Sequence, residues 1–177
     1  MGHLNPEEFR ASLDALTQIS GTYDTITVEK MAYDGSYFTY ASPALFIRET
    51  ATEYGGMTID PAMAAQIAYA NDQGYDVWGL SDSYDVGDAG YVQQGSLPTV
   101  AIGSPETRPG LVTPHASAMA LITSFSTEAE TNLQTISTNY SCAYNATFGF
   151  YDSIMANPLA VDYGQCSNRF SVLAQEW

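Results

Sequence analysis

Trp78-Gly79-Leu80-Ser81-Asp82-Ser83-Tyr84 is the stretch whose reading decides the fold. It follows a helical pattern and opens a polar loop. Within seven residues it sets an indole, a glycine, hydroxyls, a carboxylate and a phenol. Upstream, Asp60-Pro61 is a helix start, with a cap residue and then a proline at the first helical position. Met63, Ile67 and Ala70 form one apolar stripe, and Gly74 ends the helix. Downstream, residues 75–112 are rich in Gly, Ser, Asp and Pro, and a loop of that length in a compact domain points to function.

Three further patches answer this stretch. They are Tyr91 with Gln93 and Gln94, then Thr113-Pro114-His115-Ala116-Ser117, then Phe148-Gly149-Phe150-Tyr151-Asp152. Thr113-Pro114 restarts helix, and the small and apolar run to Ile122 predicts burial on most faces. A second helix follows from Ser126, with Thr127 and Glu130 as a capping box and Leu133, Ile136 and Tyr140 as its stripe. Residues 141–168 read as loop, and residues 170–177 as the start of another helix.

The N-terminal third reads as helix too. Asn5-Pro6-Glu7-Glu8 caps a helix that runs to Ser20 and stops at Gly21. Residues 25–28 suit a short strand. A helix over 38–54 follows, with Pro43 in its first turn or at a kink, and Gly55-Gly56 ends it. The expected fold is mainly α: one domain over residues 1–177, helix hairpins joined by functional loops, with little strand.

Composition narrows the partners. The 177 residues suffice for one domain with its own core. A net charge of −15 leaves no basic patch, which excludes nucleic acid and opposes anionic membrane surfaces. No apolar run is long enough to span a membrane. With 13 Tyr against 2 Trp, the aromatics favour flat rings edged with hydroxyls, suited to a neutral polyhydroxylated ligand. Cys142 and Cys166 fit either one disulfide or two buried thiols. Low Lys with high Tyr, Ser, Thr and Asn points to an extracytoplasmic protein, periplasmic or secreted, although no signal peptide is visible after Met1. Nothing in the pattern calls for a cofactor or a metal.

Four motifs in one order carry a family likeness: residues 78–83, then Gly90-Tyr91, then 112–121, then 148–154, preceded by Gly35-Ser36-Tyr37-Phe38-Thr39-Tyr40 and Pro43. The chain resembles the glucoamylase-like domain of bacterial endo-β-1,2-glucanases and cyclic β-1,2-glucan synthases, over about residues 30–177. The resemblance implies an (α/α)6 toroid with its groove at one end. Such a toroid needs roughly twice this many helices, so the chain corresponds to a C-terminal half, completed by the remainder of a larger chain or by self-association. It implies an oligo- or polysaccharide partner and a glycoside hydrolase acting on a β-glucan, β-1,2-glucan first. A glycan-binding protein without activity, or an inactive fragment, is the alternative.

Hydrolysis with inversion needs one carboxylic acid and one carboxylate. Asp82 and Asp152 are the candidate catalytic pair. Trp78, Ser81, Tyr84, Tyr91, Gln93, His115 and Tyr151 are the candidate substrate-binding residues, by ring stacking or hydrogen bonding to hydroxyls. Relatives usually carry a glutamate after the Phe of the early motif. Here the position is Thr39, which cannot protonate a leaving group at neutral pH.

Overall fold

The computed structural model describes residues 5, 7, 11, 15, 18–32, 35–46, 55–95, 97 and 108–170. Glu7 and Ala11 are helical as expected, and the departure from the helical expectation begins at Gln18. β1 (Gln18–Tyr23) and β2 (Ile26–Ala32) form an antiparallel hairpin with Tyr23 opposite Ile26. Asp24 takes the left-handed conformation in the two-residue turn, at φ 50°. Burial alternates along β1: Ile19 and Gly21 are inside, Ser20 and Thr22 outside. That period of two overrides the helical reading to Ser20, and Gly21 lies within the strand rather than ending a helix. The expected cap at the chain start is present, with the Glu7 amide donating to Asn5 Oδ1 at 3.0 Å.

The helix expected over 38–54 is short among the described residues. α1 (Tyr37–Ala41) passes into a 3-10 turn, Ser42–Leu45, with Pro43 near its start. Residues 47–54 and 171–177, and with them two expected helical stretches, lie outside the described residues. Gly55 and Gly56 do not end a helix. They open a π-helical turn, Gly55–Ile59, that feeds α2 (Asp60–Gln73). Gly74 closes α2 at φ 71°, as its sequence position requires.

The two later helices fall where expected. α3 (Pro114–Ala120) buries Pro114, His115, Ala116, Ser117, Met119 and Ala120. α4 (Ser126–Asn139) buries Ala129, Asn132 and Ile136. The capping box at its start does not form. Phe125 is the cap residue, and Glu130 instead accepts from Gln134 Nε2 at 3.2 Å, one turn on.

The loops carry more strand than their composition announces. β3 (Ser83–Tyr84) pairs with β4 (Tyr91–Val92), β5 (Leu111–Val112) with β8 (Ile154–Met155), and β6 (Tyr144–Asn145) with β7 (Gly149–Phe150), all antiparallel. Residues 151–155 are covered on their other edge by 164–170. The Asp152 amide donates to Arg169 O at 2.8 Å, the Ser167 amide to Ser153 O at 2.9 Å and the Met155 amide to Gln165 O at 2.9 Å. Phe170, expected to start a helix, is in a bridge with Tyr151. The described residues thus hold four α-helices and four short antiparallel pairs, more strand than expected, and four helices make only part of a double ring.

The main core joins the hairpin, α1, α2 and α3 around Val28, Met31, Tyr37, Met63, Trp78 and Met119. A second cluster, with Val77, Val112, Ile136, Tyr140 and Ile154, lies under α4. Between them runs the Trp78–Leu80 backbone, held by side-chain amides. Asn132 Oδ1 accepts from the Trp78 amide at 3.1 Å, and its Nδ2 donates to Trp78 O at 2.8 Å. Gln66 repeats the pattern at Leu80: Oε1 accepts from the Leu80 amide at 2.7 Å and Nε2 donates to Leu80 O at 3.1 Å. Gly79 O takes the Thr113 amide at 3.0 Å. At φ 145°, Gly79 admits no side chain, since a Cβ there would lie 2.6 Å from Thr113 O.

Cys142 and Cys166 form a disulfide, with Cα atoms 5.9 Å apart and a sequence separation of 24. Closing a loop of that length stabilises a fold by roughly 3 kcal/mol. The Cys142→Ser/Cys166→Ser variant is expected to lose about that much in urea unfolding. Replacing Asn132 by Leu strands the buried Trp78 amide, at a cost of about 1–3 kcal/mol, and leaves Trp78 O to the Ser117 hydroxyl. The Asn132→Leu chain is expected to unfold at distinctly lower urea, and Gln66→Leu to behave alike.

Candidate functional site

The 78–84 stretch enters the site from the core. Trp78 stays behind, buried in the main cluster. Ser81 and Ser83 are fully buried, Asp82 is half-buried between them, and Tyr84 emerges 38% exposed. Alternation along an extended segment explains the sequence of in and out. Across the β3–β4 pair stands Tyr91, 57% exposed, its ring edge-on to Tyr84 with centroids 5.3 Å apart. Gln93 is exposed beside it, and Gln94 is buried, its Nε2 donating to Leu111 O at 3.2 Å.

Both candidate carboxylates hold backbone amides. Asp82 Oδ1 accepts from the Gln94 amide at 2.6 Å, which closes the polar loop on itself. Asp152 is 6% exposed; its Oδ2 accepts from the Tyr84 amide at 2.6 Å. Ser153 Oγ donates to Tyr84 O beside it. The last motif thus grips the first through two neighbouring side chains.

His115, on α3, faces the same carboxylate, with Nδ1 3.8 Å from Asp152 Oδ1. The Phe38 ring of α1 stands edge-on to the imidazole, centroids 6.1 Å apart. Burial lowers the His115 pKa from 6.5 to about 4, so the imidazole is neutral at physiological pH. The 3.8 Å approach is therefore a contact between a neutral ring and a carboxylate, not an ion pair.

Tyr151 goes elsewhere. It stacks on Phe170, centroids 4.2 Å apart and planes 24° apart, with Phe148 5.3 Å beyond. Neighbouring residues on a ladder face opposite ways. Asp152 and Arg169 turn to Tyr84, while Tyr151 and Phe170 share the other face. The Arg169 guanidinium lies 5.1 Å over the Tyr84 ring, a cation–π distance. Sequence reading passed over Arg169. The available signal was that it is one of only five basic residues in the chain.

The neighbouring acids are structural. Asp85 is buried and takes Arg108 Nε at 2.9 Å, and Arg108 also binds Asp162. Asp76 accepts from Tyr140 Oη at 2.5 Å and Asn139 Nδ2 at 3.0 Å. Among the described residues no group of His, Cys, Asp and Glu side chains is placed to hold a metal ion, and no helix is long and apolar enough to cross a membrane.

On the segments that carry Tyr84 and Tyr91, and on α3, several buried polar atoms have no hydrogen-bond partner among the described residues. They are Ser81 Oγ, Ser83 Oγ, Gln94 Oε1 and both ring nitrogens of His115. Each such atom is costly if left so, and a concentration of them calls for an explanation.

No protein-family model matches this chain, and no curated protein sequence matches it. Solved structures do. An endo-β-1,2-glucanase from Chitinophaga pinensis, solved with sophorotriose and glucose, superposes on 88% of the chain with a TM-score of 0.57 at 15% identity. A provisionally named glucoamylase from Bacteroides fragilis gives 0.59 over 87% at 15% identity, and one from Bacteroides caccae 0.57 over 87% at 16%. The fold is thus that of a glucoamylase-like domain over most of the chain. The chain spans 37–38% of the length of these proteins.

The neutral His115 makes stability depend on pH in a definite direction. Below pH 6.5 the unfolded chain takes up a proton that the folded chain refuses until about pH 4. This part of the stability is complete above 6.5 and is lost as pH falls towards 4, by about 3 kcal/mol in all. The difference in unfolding free energy between the wild type and His115→Gln is expected to shrink by that amount between pH ~7 and pH ~4, read by urea titration at each pH.

Proposed function

We propose that this chain is a glycoside hydrolase-like protein that binds and cleaves a β-glucan, β-1,2-glucan first, with Asp82 and Asp152 as its paired carboxylates. The observation that carries the reading is the company these residues keep. The exposed Tyr84 and Tyr91 rings belong to segments held by the two carboxylates, Asp152 on the Tyr84 amide and Asp82 on the Gln94 amide. The same segments and α3 carry buried hydroxyl, amide and imidazole atoms with no partner among the described residues. Rings suit the C–H faces of a sugar, and the polar groups suit its hydroxyls. The chain's net charge of −15 favours a neutral saccharide over an anionic one. The glucanase with a similar fold supports the choice of linkage.

In this reading Gln93 hydrogen-bonds the sugar from the rim, and Ser81 and His115 do so from the floor. Trp78 supports the site from the core, and Tyr151 contacts ligand only where a chain wraps over the rim to the far face. The disulfide supports an extracytoplasmic setting. The remainder of a toroid, from a longer chain or another copy, would complete the groove.

A second reading has its own observation. Thr39 is exposed and carries no acid, and both carboxylates are committed to backbone amides. That favours glycan binding without cleavage. The two readings separate in one experiment. Wild type and Asp82→Asn are assayed for reducing-sugar release from linear β-1,2-glucan and for binding to it by calorimetry. Hydrolysis predicts release by wild type, a loss of at least ~100-fold in Asp82→Asn, and binding retained in both. Binding without any release supports the second reading, and neither binding nor release sinks both.

A further inference from the structure

His115 and Asp152 meet in a setting that constrains both. The imidazole is 6% exposed, walled by Phe38, and has a carboxylate oxygen 3.8 Å from Nδ1. Asp152 is fixed in turn, since its other oxygen holds the Tyr84 amide and its own amide donates to Arg169 O. A neutral imidazole has one N–H and one bare nitrogen. Which is which follows from what the other nitrogen faces. A carboxylate can only accept, so the proton belongs on Nδ1. Nε2 is then left bare and buried, with no partner among the described residues. A lone pair so placed needs a donor, and a sugar hydroxyl is one.

We propose that Asp152 is a positioning residue that holds His115 as its Nδ1–H tautomer, so that Nε2 accepts a hydrogen bond from a hydroxyl of the bound saccharide. The inference rests on the carbohydrate reading and revises one part of it, taking Asp152 out of the catalytic carboxylate pair. Asp82, half-buried and nearer solvent, stays the carboxylate closest to ligand, and Asp152 acts through the imidazole. At 3.8 Å the pair is too far apart for a full hydrogen bond, and contacts of this kind often tighten only once ligand is bound. Phe38 gives the early motif a part in this. It sets the imidazole plane, so the residue after it, Thr39, need carry no acid for the motif to matter.

The test is nitrogen-15 NMR of histidine-labelled protein. There are only two histidines, so His115→Gln assigns the signals. At neutral pH the wild type is expected to show a protonated Nδ1 and a bare Nε2. Asp152→Ala removes the acceptor and is expected to move the proton to Nε2. Asp152→Asn retains an acceptor for the Tyr84 amide in case the alanine variant does not fold, and is expected to give a mixture of tautomers. Saturating sophorotriose is expected to shift the Nε2 signal of the wild type into the hydrogen-bonded range. A proton on Nε2 in the wild type, or an unchanged tautomer in both variants, overturns the role of Asp152. Bound sophorotriose that leaves Nε2 unmoved overturns the role of Nε2 while the carbohydrate reading stands. If neither sophorotriose nor linear β-1,2-glucan binds, the carbohydrate reading fails and the ligand half of the inference with it, while the tautomer still reports on Asp152.

Discussion

Two side-chain amides, Asn132 and Gln66, hold the centre of this protein. Trp78, Gly79 and Leu80 run through the interior as extended backbone without a full ladder of neighbouring strands. Buried backbone groups need partners. A carboxamide has a donor and an acceptor side by side, the spacing a neighbouring strand would offer. Asn132 from α4 takes both groups of Trp78, and Gln66 from α2 takes both groups of Leu80. Ser117 joins from α3, donating to Trp78 O at 3.2 Å and accepting from Asn132 Nδ2 at 2.8 Å. Three helices are thereby keyed to one segment, and the segment's exit fixes where Asp82 and Tyr84 emerge.

The helices that could be read from sequence are those with both a period and a stop. α2 has Asp60-Pro61 at its start and Gly74 at its end, and α3 has Thr113-Pro114. The second strand of the Gln18–Ala32 hairpin was read in part, at residues 25–28, but the first was misread because Leu4, Phe9, Leu13, Leu16 and Ile19 keep a helical spacing up to the point where it begins. Local pattern gave no sign that pairing with residues 26–32 would take over. The short ladders of the polar loops were unreadable for a related reason. Two-residue strands have no period, and their partners lie as far off as Leu111 and Met155.

The candidate site divides in the same way. The motif residues Asp82, Tyr84, Tyr91, His115 and Asp152 could be picked out because polar and aromatic types crowd them in sequence. Their meeting is visible only in space, where Tyr84 N and Asp152 Oδ2 join across 68 positions. Tyr151 shows the opposite case. It adjoins Asp152 in sequence, yet strand alternation sends it to the far face with Phe170. Arg169 entered the site by that same alternation, from a segment with no motif.

The disulfide has a topological meaning beyond its stabilising effect. The 24-residue span it closes contains the whole β6–β7 hairpin, Tyr151, Asp152 and β8. A protease that cuts anywhere inside that span produces two pieces that remain one molecule. Tyr163, Val161 and Leu159 are exposed there and offer a natural place for a cut. Asp152 would stay tethered through Cys142, and Arg169 through Cys166, so a nicked chain keeps both halves of the rim under one covalent bond. Electrophoresis without reductant would not distinguish such a molecule by mass from an intact one.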